Sequence, residues 1–258
     1  MNFGPAAARA AWQSYWTAMR YYHRFEVRGL ENVERFGPAI IVGYHGRGVA
    51  HDMIMLASLL HERSGAEVRA IIHKKVVELP VLGWLPQGLG YVPDDGPELA
   101  DVFARGESLM ITPAGPIEGC RSFRERYKVN WGNRHGYLKL ALKYRLPIIP
   151  TAGTGVDETY IGLNNGYDWG KRFDASAFAK RIHWPGGFPI WFAFGATGPW
   201  PMTLPFPVKI VCHVGKPIYP EADGPVDPSD RKALARLHAL VTGTVQRLLD
   251  EGRGERSP

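Results

Sequence analysis

Residues 39–55 read AIIVGYHGRGVAHDMIM, and the apolar run resumed at Met53 continues to Leu60. A short apolar run, glycine punctuation and then a longer apolar segment make a strand–turn–helix unit. The stretch therefore predicts a buried strand over 39–43 and an apolar helix over 52–61. It also places His45 just past the strand and Asp52 at the head of the helix. A neutral histidine can take a proton from an alcohol when a carboxylate fixes its tautomer, help that is typically worth ~10²–10⁴ in rate. His51 and Asp52 are adjacent, and neighbours on a helix point ~100° apart, so those two do not pair. His45 and Asp52 lie seven positions apart; on one continuous helix that is ~10.5 Å of rise, beyond contact. Gly46 and Gly48 permit a loop that folds His45 back onto Asp52 instead. On spacing alone, a catalytic pair and a generic turn carrying histidines both stand.

Working outward, residues 6–23 place Trp12, Tyr15, Trp16, Met19 and Tyr22 at helical spacing, with Arg9, Arg20 and Arg24 on or near the borders of that face. Two readings are open and compatible. The aromatics pack on the domain, or the helix lies in a membrane interface, where Trp and Tyr favour the headgroup zone and Arg attracts anionic lipid. Strands are expected over 25–30, 67–73, 89–92, 108–115, 146–153 and 209–215. Helices are expected over 97–105, 136–145 and 229–251, the last with Leu234, Leu237, Val241, Val245 and Leu248 on one stripe and Ser229 as N-cap. Strands alternating with helices predict an α/β fold: a single domain with a largely parallel central sheet flanked by helices.

Residues 182–208 hold no Asp, Glu, Lys or Arg across 27 positions. Six prolines and four glycines argue against a continuous spanning helix. The expectation is irregular, aromatic-rich backbone lining an apolar groove or facing a membrane.

At 258 residues, with 45% hydrophobic and 22% charged residues, the chain can bury a large core, and wholesale disorder is excluded. The two cysteines, Cys120 and Cys212, have neither disulfide-framework nor metal-ligand spacing, so a reducing compartment is expected and no metal site. The start, MNFGPAAARAAWQ, lacks a basic stretch followed by an apolar block, so no secretory signal is read there. A net charge of +6 suits a membrane surface or a phosphorylated cofactor. No nucleic-acid module is recognisable, and no nucleic-acid partner is expected.

Two further stretches carry chemistry. ITPAGPIEGCRS (residues 111–122) runs from a strand end into a loop with Glu118, Gly119, Cys120, Arg121 and Ser122. It is either a polar surface turn or part of the ligand-binding carboxyl edge of the sheet. Residues 121–145 then hold eight Arg or Lys and one Glu. Such a tract is a solvated face in part, and suits a nucleotide phosphate, a phosphopantetheine carrier or anionic headgroups.

Taken in order, VRGLENV, AIIVGYHG, ELPVLGWLPQGLGYV, EGCRS and RLPIIPTAG resemble the blocks of the glycerolipid (PlsC-type) acyltransferase family over residues 26–155, with weaker similarity over 204–220. YHG (44–46), PAGPIE (113–118) and YKVNWGNRHGYLKLAL (127–142) are similar to its diacylglycerol acyltransferase-like branch. With this resemblance, residues 25–258 are expected to form the acyltransferase domain, preceded over residues 1–24 by the aromatic, amphipathic helix read above as a candidate interfacial segment. The resemblance implies His45 as the base that deprotonates an acceptor hydroxyl and Asp52 as its orienting acid. Glu118, Gly119, Arg121 and Ser122 would shape the acceptor site. The acyl donor would be a thioester on coenzyme A or acyl carrier protein, with no bound cofactor. Peripheral attachment to the cytoplasmic face of a membrane with anionic lipid is the matching location.

Three departures bear on this. The family pattern has four residues between its His and Asp, whereas six separate His45 from Asp52; Cys120 also stands where the family has threonine. After the second block, where the family carries a phosphate-gripping arginine, stand Asp94 and Asp95, which would repel a phosphate. That tilts the acceptor from lysophosphatidic acid towards a mono- or diacylglycerol. The alternatives are a lysophospholipid acyltransferase using Arg121 and the basic tract, and a non-catalytic lipid-binding relative. A hydrolase is weaker, because no Gly-x-Ser-x-Gly elbow occurs.

Overall fold

The computed structural model describes residues 5–34, 37–72, 90–93, 98–173 and 188–255. Its strands are β1 (Glu26–Arg28), β2 (Ile40–Gly43), β3 (Val68–Ile72), β4 (Val92–Pro93), β5 (Ser108–Ile111), β6 (Ile148–Thr154), β7 (Ile161–Gly162), β8 (Ala193–Gly195), β9 (Gly198–Pro199) and β10 (Val211–Val214). Its helices are α1 (Pro5–Tyr22), α2 (Glu31–Glu34), α3 (Arg47–Ser64), α4 (Glu98–Ala104), α5 (Pro116–Gly119), α6 (Gly136–Tyr144), α7 (Gly166–Arg172) and α8 (Arg231–Gly254). The strand read from residues 39–43 is β2, the middle of a seven-stranded sheet ordered β1-β10-β6-β2-β5-β3-β4.

Strand alternation sorts the core into two faces. Ile40, Val42, Ile148 and Ala152 point to one side, where Leu138 of α6 and Val241, Val245 and Leu249 of α8 cover them. Ile41, Ile149, Cys212 and Val214 point to the other, against Met53, Leu56 and Leu60 of α3. Trp16 and Met19 of α1 belong to the first of these cores. The result is one α/β domain whose central strands are buried on both faces, as near-continuous apolar runs require.

Neighbouring strands are parallel except for β10 and β6. Between them the described residues build a small antiparallel sheet, β7-β8-β9. Val211 enters β10 opposite Thr154, the last residue of β6. The irregular backbone expected over 182–208 is corrected in part, because β8 and β9 lie within it; positions 182–187 fall outside the described residues. The expected N-cap of α8 also shifts by one. Asp230 caps it, accepting from the amides of Lys232 and Ala233, while Ser229 bonds Asp227. Among the described residues, no helix is long and apolar enough to cross a membrane.

Candidate active site

The carboxyl ends of three parallel strands converge. The turn after β2 carries Tyr44 and His45, the loop after β5 carries α5 and Arg121, and the turn after β6 carries Asp157. This is the edge where open α/β sheets hold ligands.

α3 begins earlier than expected, at Arg47, and breaks at once. Gly48 (φ 65°, ψ −103°), Val49 and Ala50 (φ 55°, ψ 56°) leave helical geometry, and regular helix resumes at His51. This break takes up the extra length between His45 and Asp52, and neither Asp52 carboxyl oxygen is hydrogen-bonded to the His45 ring. Asp52 instead turns to the sheet. A Cβ on Gly153 of β6 would stand 2.3 Å from Asp52 Oδ2, and one on Gly46 would stand 3.3 Å from Oδ1. The carboxyl therefore sits behind the His45 turn, in a niche open only because residue 153 is glycine. Burial, more than anything else, raises Asp52 to about 7, with nearby backbone amides pulling the other way.

The His45 ring finds a different orienting group. Its Nδ1 lies 2.7 Å from the Gly46 carbonyl oxygen. A carbonyl can only accept, so Nδ1 carries the proton and Nε2 carries the lone pair. Burial lowers His45 to about 4, the Gly46 carbonyl opposes this, and the charge of Arg121 adds to it. The imidazole is therefore neutral at physiological pH and can accept a proton at Nε2.

Glu118 and Arg121 are both buried, and each holds one backbone group of His45. Glu118 Oε2 accepts from the His45 amide at 3.0 Å, and its Oε1 accepts from the Asn130 amide at 2.7 Å. Arg121 donates to the His45 carbonyl at 3.3 Å, to Asp157 Oδ1 at 3.2 Å and to the Lys128 carbonyl at 3.2 Å, and stacks on the Tyr44 ring. Gly119 lies over the ring itself, where a Cβ would stand 2.9 Å from His45 Cε1 and 3.0 Å from Nδ1. Ser122 caps the short turn at Phe123–Glu125, while its carbonyl accepts from Arg47. The four residues expected to shape an acceptor site thus frame the histidine: Glu118, Gly119 and Arg121 touch it directly, and Ser122 acts through Arg47.

Sequence reasoning missed the centre of this frame. Asp157, fully buried, accepts from the Tyr44 hydroxyl, the Tyr127 amide and Arg121, and its backbone carbonyl accepts from Arg47 Nε at 2.8 Å. Arg47, also fully buried, donates further to the carbonyls of Arg121 and Ser122. A lone Asp after an apolar strand signals only a turn; its pairing with two arginines distant in sequence leaves no local mark. Of the basic tract, Arg121 is buried in this network, whereas Arg124, Lys128, Arg134, Lys139, Lys143 and Arg145 are exposed. Asp94 and Asp95, and positions 78–89 of the second block, lie outside the described residues.

His51 faces another way. Its ring packs against Trp16, His23 and Tyr160 at centroid separations of 5.6, 5.9 and 5.9 Å, and burial lowers it to about 3. It is a core histidine between α1 and α3. Among the described residues, no group of His, Cys, Asp and Glu is arranged to hold a metal ion.

Comparison with known proteins gives three findings. The family model described as Acyltransferase matches residues 24–153, half of the chain. An uncharacterized protein of Mycobacterium tuberculosis is 28% identical over 230 residues, covering 88% of this chain and 61% of its own length. The protein of Bos taurus named "DGAT1/2-independent enzyme synthesizing storage lipids" is 27% identical over 230 residues, covering 89% of this chain and 60% of its own. The chain thus spans about 60% of the length of these curated relatives. The crystal structure of the 1-acyl-sn-glycerophosphate (LPA) acyltransferase PlsC from Thermotoga maritima superposes with a TM-score of 0.55 at 16% identity, covering 98% of this chain and 83% of that one. At that identity the likeness speaks for the fold.

Proposed function

The chain belongs to the acyltransferase family, and we propose that it transfers a fatty acyl group from a thioester to the hydroxyl of a neutral membrane lipid such as mono- or diacylglycerol. The observation that carries this reading is His45: a buried, neutral imidazole with Nδ1 tied to the Gly46 carbonyl, leaving Nε2 free to act as base.

In the proposed reaction, Nε2 takes the acceptor's hydroxyl proton as the oxygen attacks the thioester carbonyl carbon. The tetrahedral intermediate collapses, the C–S bond breaks, and the imidazolium returns the proton to the leaving thiolate. The products are an ester and a free thiol on coenzyme A or acyl carrier protein. Glu118 and Arg121 fix the backbone on both sides of the base, so its position is set before substrate arrives.

A neutral acceptor is favoured because the buried cations are already committed. Arg47 and Arg121 share the Asp157 carboxylate, and the terminal nitrogens of both already donate to it or to backbone carbonyls. The name printed for the Bos taurus relative, a storage-lipid synthesizing enzyme, points the same way. We place the protein peripherally on the cytoplasmic face of a membrane, where such acceptors reside.

The test is incubation of the purified chain with radiolabelled acyl-coenzyme A or acyl carrier protein and a panel of monoacylglycerol, diacylglycerol and lysophosphatidic acid. Label should appear in a neutral glycerolipid. Label in phosphatidic acid would replace the acceptor, and release of free fatty acid alone would contradict acyl transfer.

A further inference from the structure

The β7-β8-β9 sheet is apolar on both faces. Ile161 pairs with Phe194 and Gly162 with Ala193, while the Leu163 amide bonds the Phe192 carbonyl at 2.8 Å. The inner face, with Gly162, Ala193 and Trp191, packs onto the candidate site: a Cβ on Gly162 would stand 2.7 Å from the Arg121 carbonyl and 2.8 Å from Arg47 Nη1. The outer face holds Ile161, Leu163, Phe192 and Phe194, all exposed, with Leu163 at 64% and Phe192 at 50%. α7 extends it. The Trp169 ring lies 5.5 Å from both Phe192 and Phe173, and Phe173 is 61% exposed.

An antiparallel sheet with one face in water ordinarily alternates apolar-in and polar-out. Here the outward positions are as apolar as the inward ones, and contiguous exposed apolar surface of this kind marks a partner. The charges bordering it on α7 are Lys171 and Arg172 against Asp168, all exposed. Residues 188–208 add no charge, and the chain as a whole is +6. Aromatics with cations at their edge match a lipid interface with negative headgroups. The same charges disfavour a second copy of this chain, which would bring like charges together.

We propose that the outer face of β7-β8-β9, with Trp169 and Phe173 of α7, is the surface by which this protein docks on an anionic lipid bilayer. The inference rests on the reading of the acceptor as a membrane lipid, and it moves the membrane contact from α1 to this sheet. On α1, Trp16 and Met19 are committed to the core, and Gln13 is bonded to Ser58 of α3. The docking face lies on the opposite side of the same small sheet that touches Arg47 and Arg121, so docking brings the bilayer to the rim of the site.

The test is flotation of the full chain with phosphatidylcholine vesicles, with and without phosphatidylglycerol, in the absence of acyl donor. Leu163→Ser/Phe192→Ser should lower partitioning by roughly tenfold or more, while Leu240→Ser, an exposed apolar position on α8, should leave it unchanged. Lys171→Glu/Arg172→Glu changes exposed side chains alone and should remove the gain from phosphatidylglycerol, which keeps the test decisive if the double serine variant fails to fold. Wild-type partitioning in both double variants would overturn the proposal. So would a wild-type dimer that the serine pair converts to monomer while vesicle binding persists, or a loss of affinity for long-chain acyl thioester with vesicle binding unchanged. Transfer to a short-chain, water-soluble diacylglycerol separates docking from catalysis. The surface variants should keep that activity, and a wild-type protein that docks through this face yet transfers nothing would leave the docking surface standing and remove the proposed function.

Discussion

At the scale of single residues, the buried ionisable groups behind the His45 turn differ in sign. Burial raises Asp52 to about 7 from an ordinary 3.8, so the folded protein keeps a proton that the unfolded chain releases between those values. Stability from this residue is present at low pH and falls as pH rises from about 4 to about 7. His45 and His51, lowered to about 4 and about 3 from 6.5, act oppositely: their contribution is present above 6.5 and is lost as pH falls through that window. Asp52→Asn removes the first effect alone. Its melting temperature relative to the wild type should climb across the window from about pH 4 to about pH 7. Calorimetry at the two ends checks this, and a constant offset would mean that Asp52 is ionised throughout. The two residue types at this site were legible in the sequence, but their relation was not. His45 bonds a carbonyl one residue away, which any sequence offers, and Asp52 depends on a glycine in a strand a hundred residues later.

Elements explain why the histidine is held so closely. α5 is a single turn whose last residue, Gly119, lies against the ring of His45, while Glu118 of the same turn bonds the histidine's amide. Gly119→Ala would push a methyl group into the ring edge and displace it. A displacement of that size at a base can cost on the order of 10²-fold in rate. Steady-state kinetics should show kcat falling with little change in melting temperature, and an unaltered kcat would place the reacting atoms elsewhere. The Gly119 requirement is the physical content of the EGCRS block. Strand and helix alternation was readable because periods of two and about 3.6 residues leave a pattern in apolar residues. The loop at Gly46 and Gly48 was readable from its glycines, but the extension of the break to Ala50 was not, since Ala50 adopts a positive φ with no residue type to announce it. The strands β8 and β9 were missed for another reason: three and two residues are too short to establish a period. Asp157 and Arg47 escaped notice because buried ion pairs between distant loops exist only once the sheet has assembled.

For the whole molecule, the sheet gathers the turn after β2, the loop after β5 and the turn after β6 at one edge, and a neutral histidine stands among them. A smaller sheet covers that edge on its inner side and presents an apolar face on its outer side. The family blocks and the fold agree on this arrangement, and the relatives matched over most of this chain extend beyond it. The central claim is that His45, and not the neighbouring His51, is the base. It is tested by the initial rate of acyl transfer from acyl-coenzyme A to diacylglycerol for His45→Ala and His51→Ala, alongside the wild type. The account predicts a loss of ~10²–10⁴ for His45→Ala with its circular dichroism unchanged. For His51→Ala it predicts a lower melting temperature but a rate within a few-fold of wild type below that temperature. Wild-type turnover by His45→Ala, or an equal loss in both variants, would contradict it.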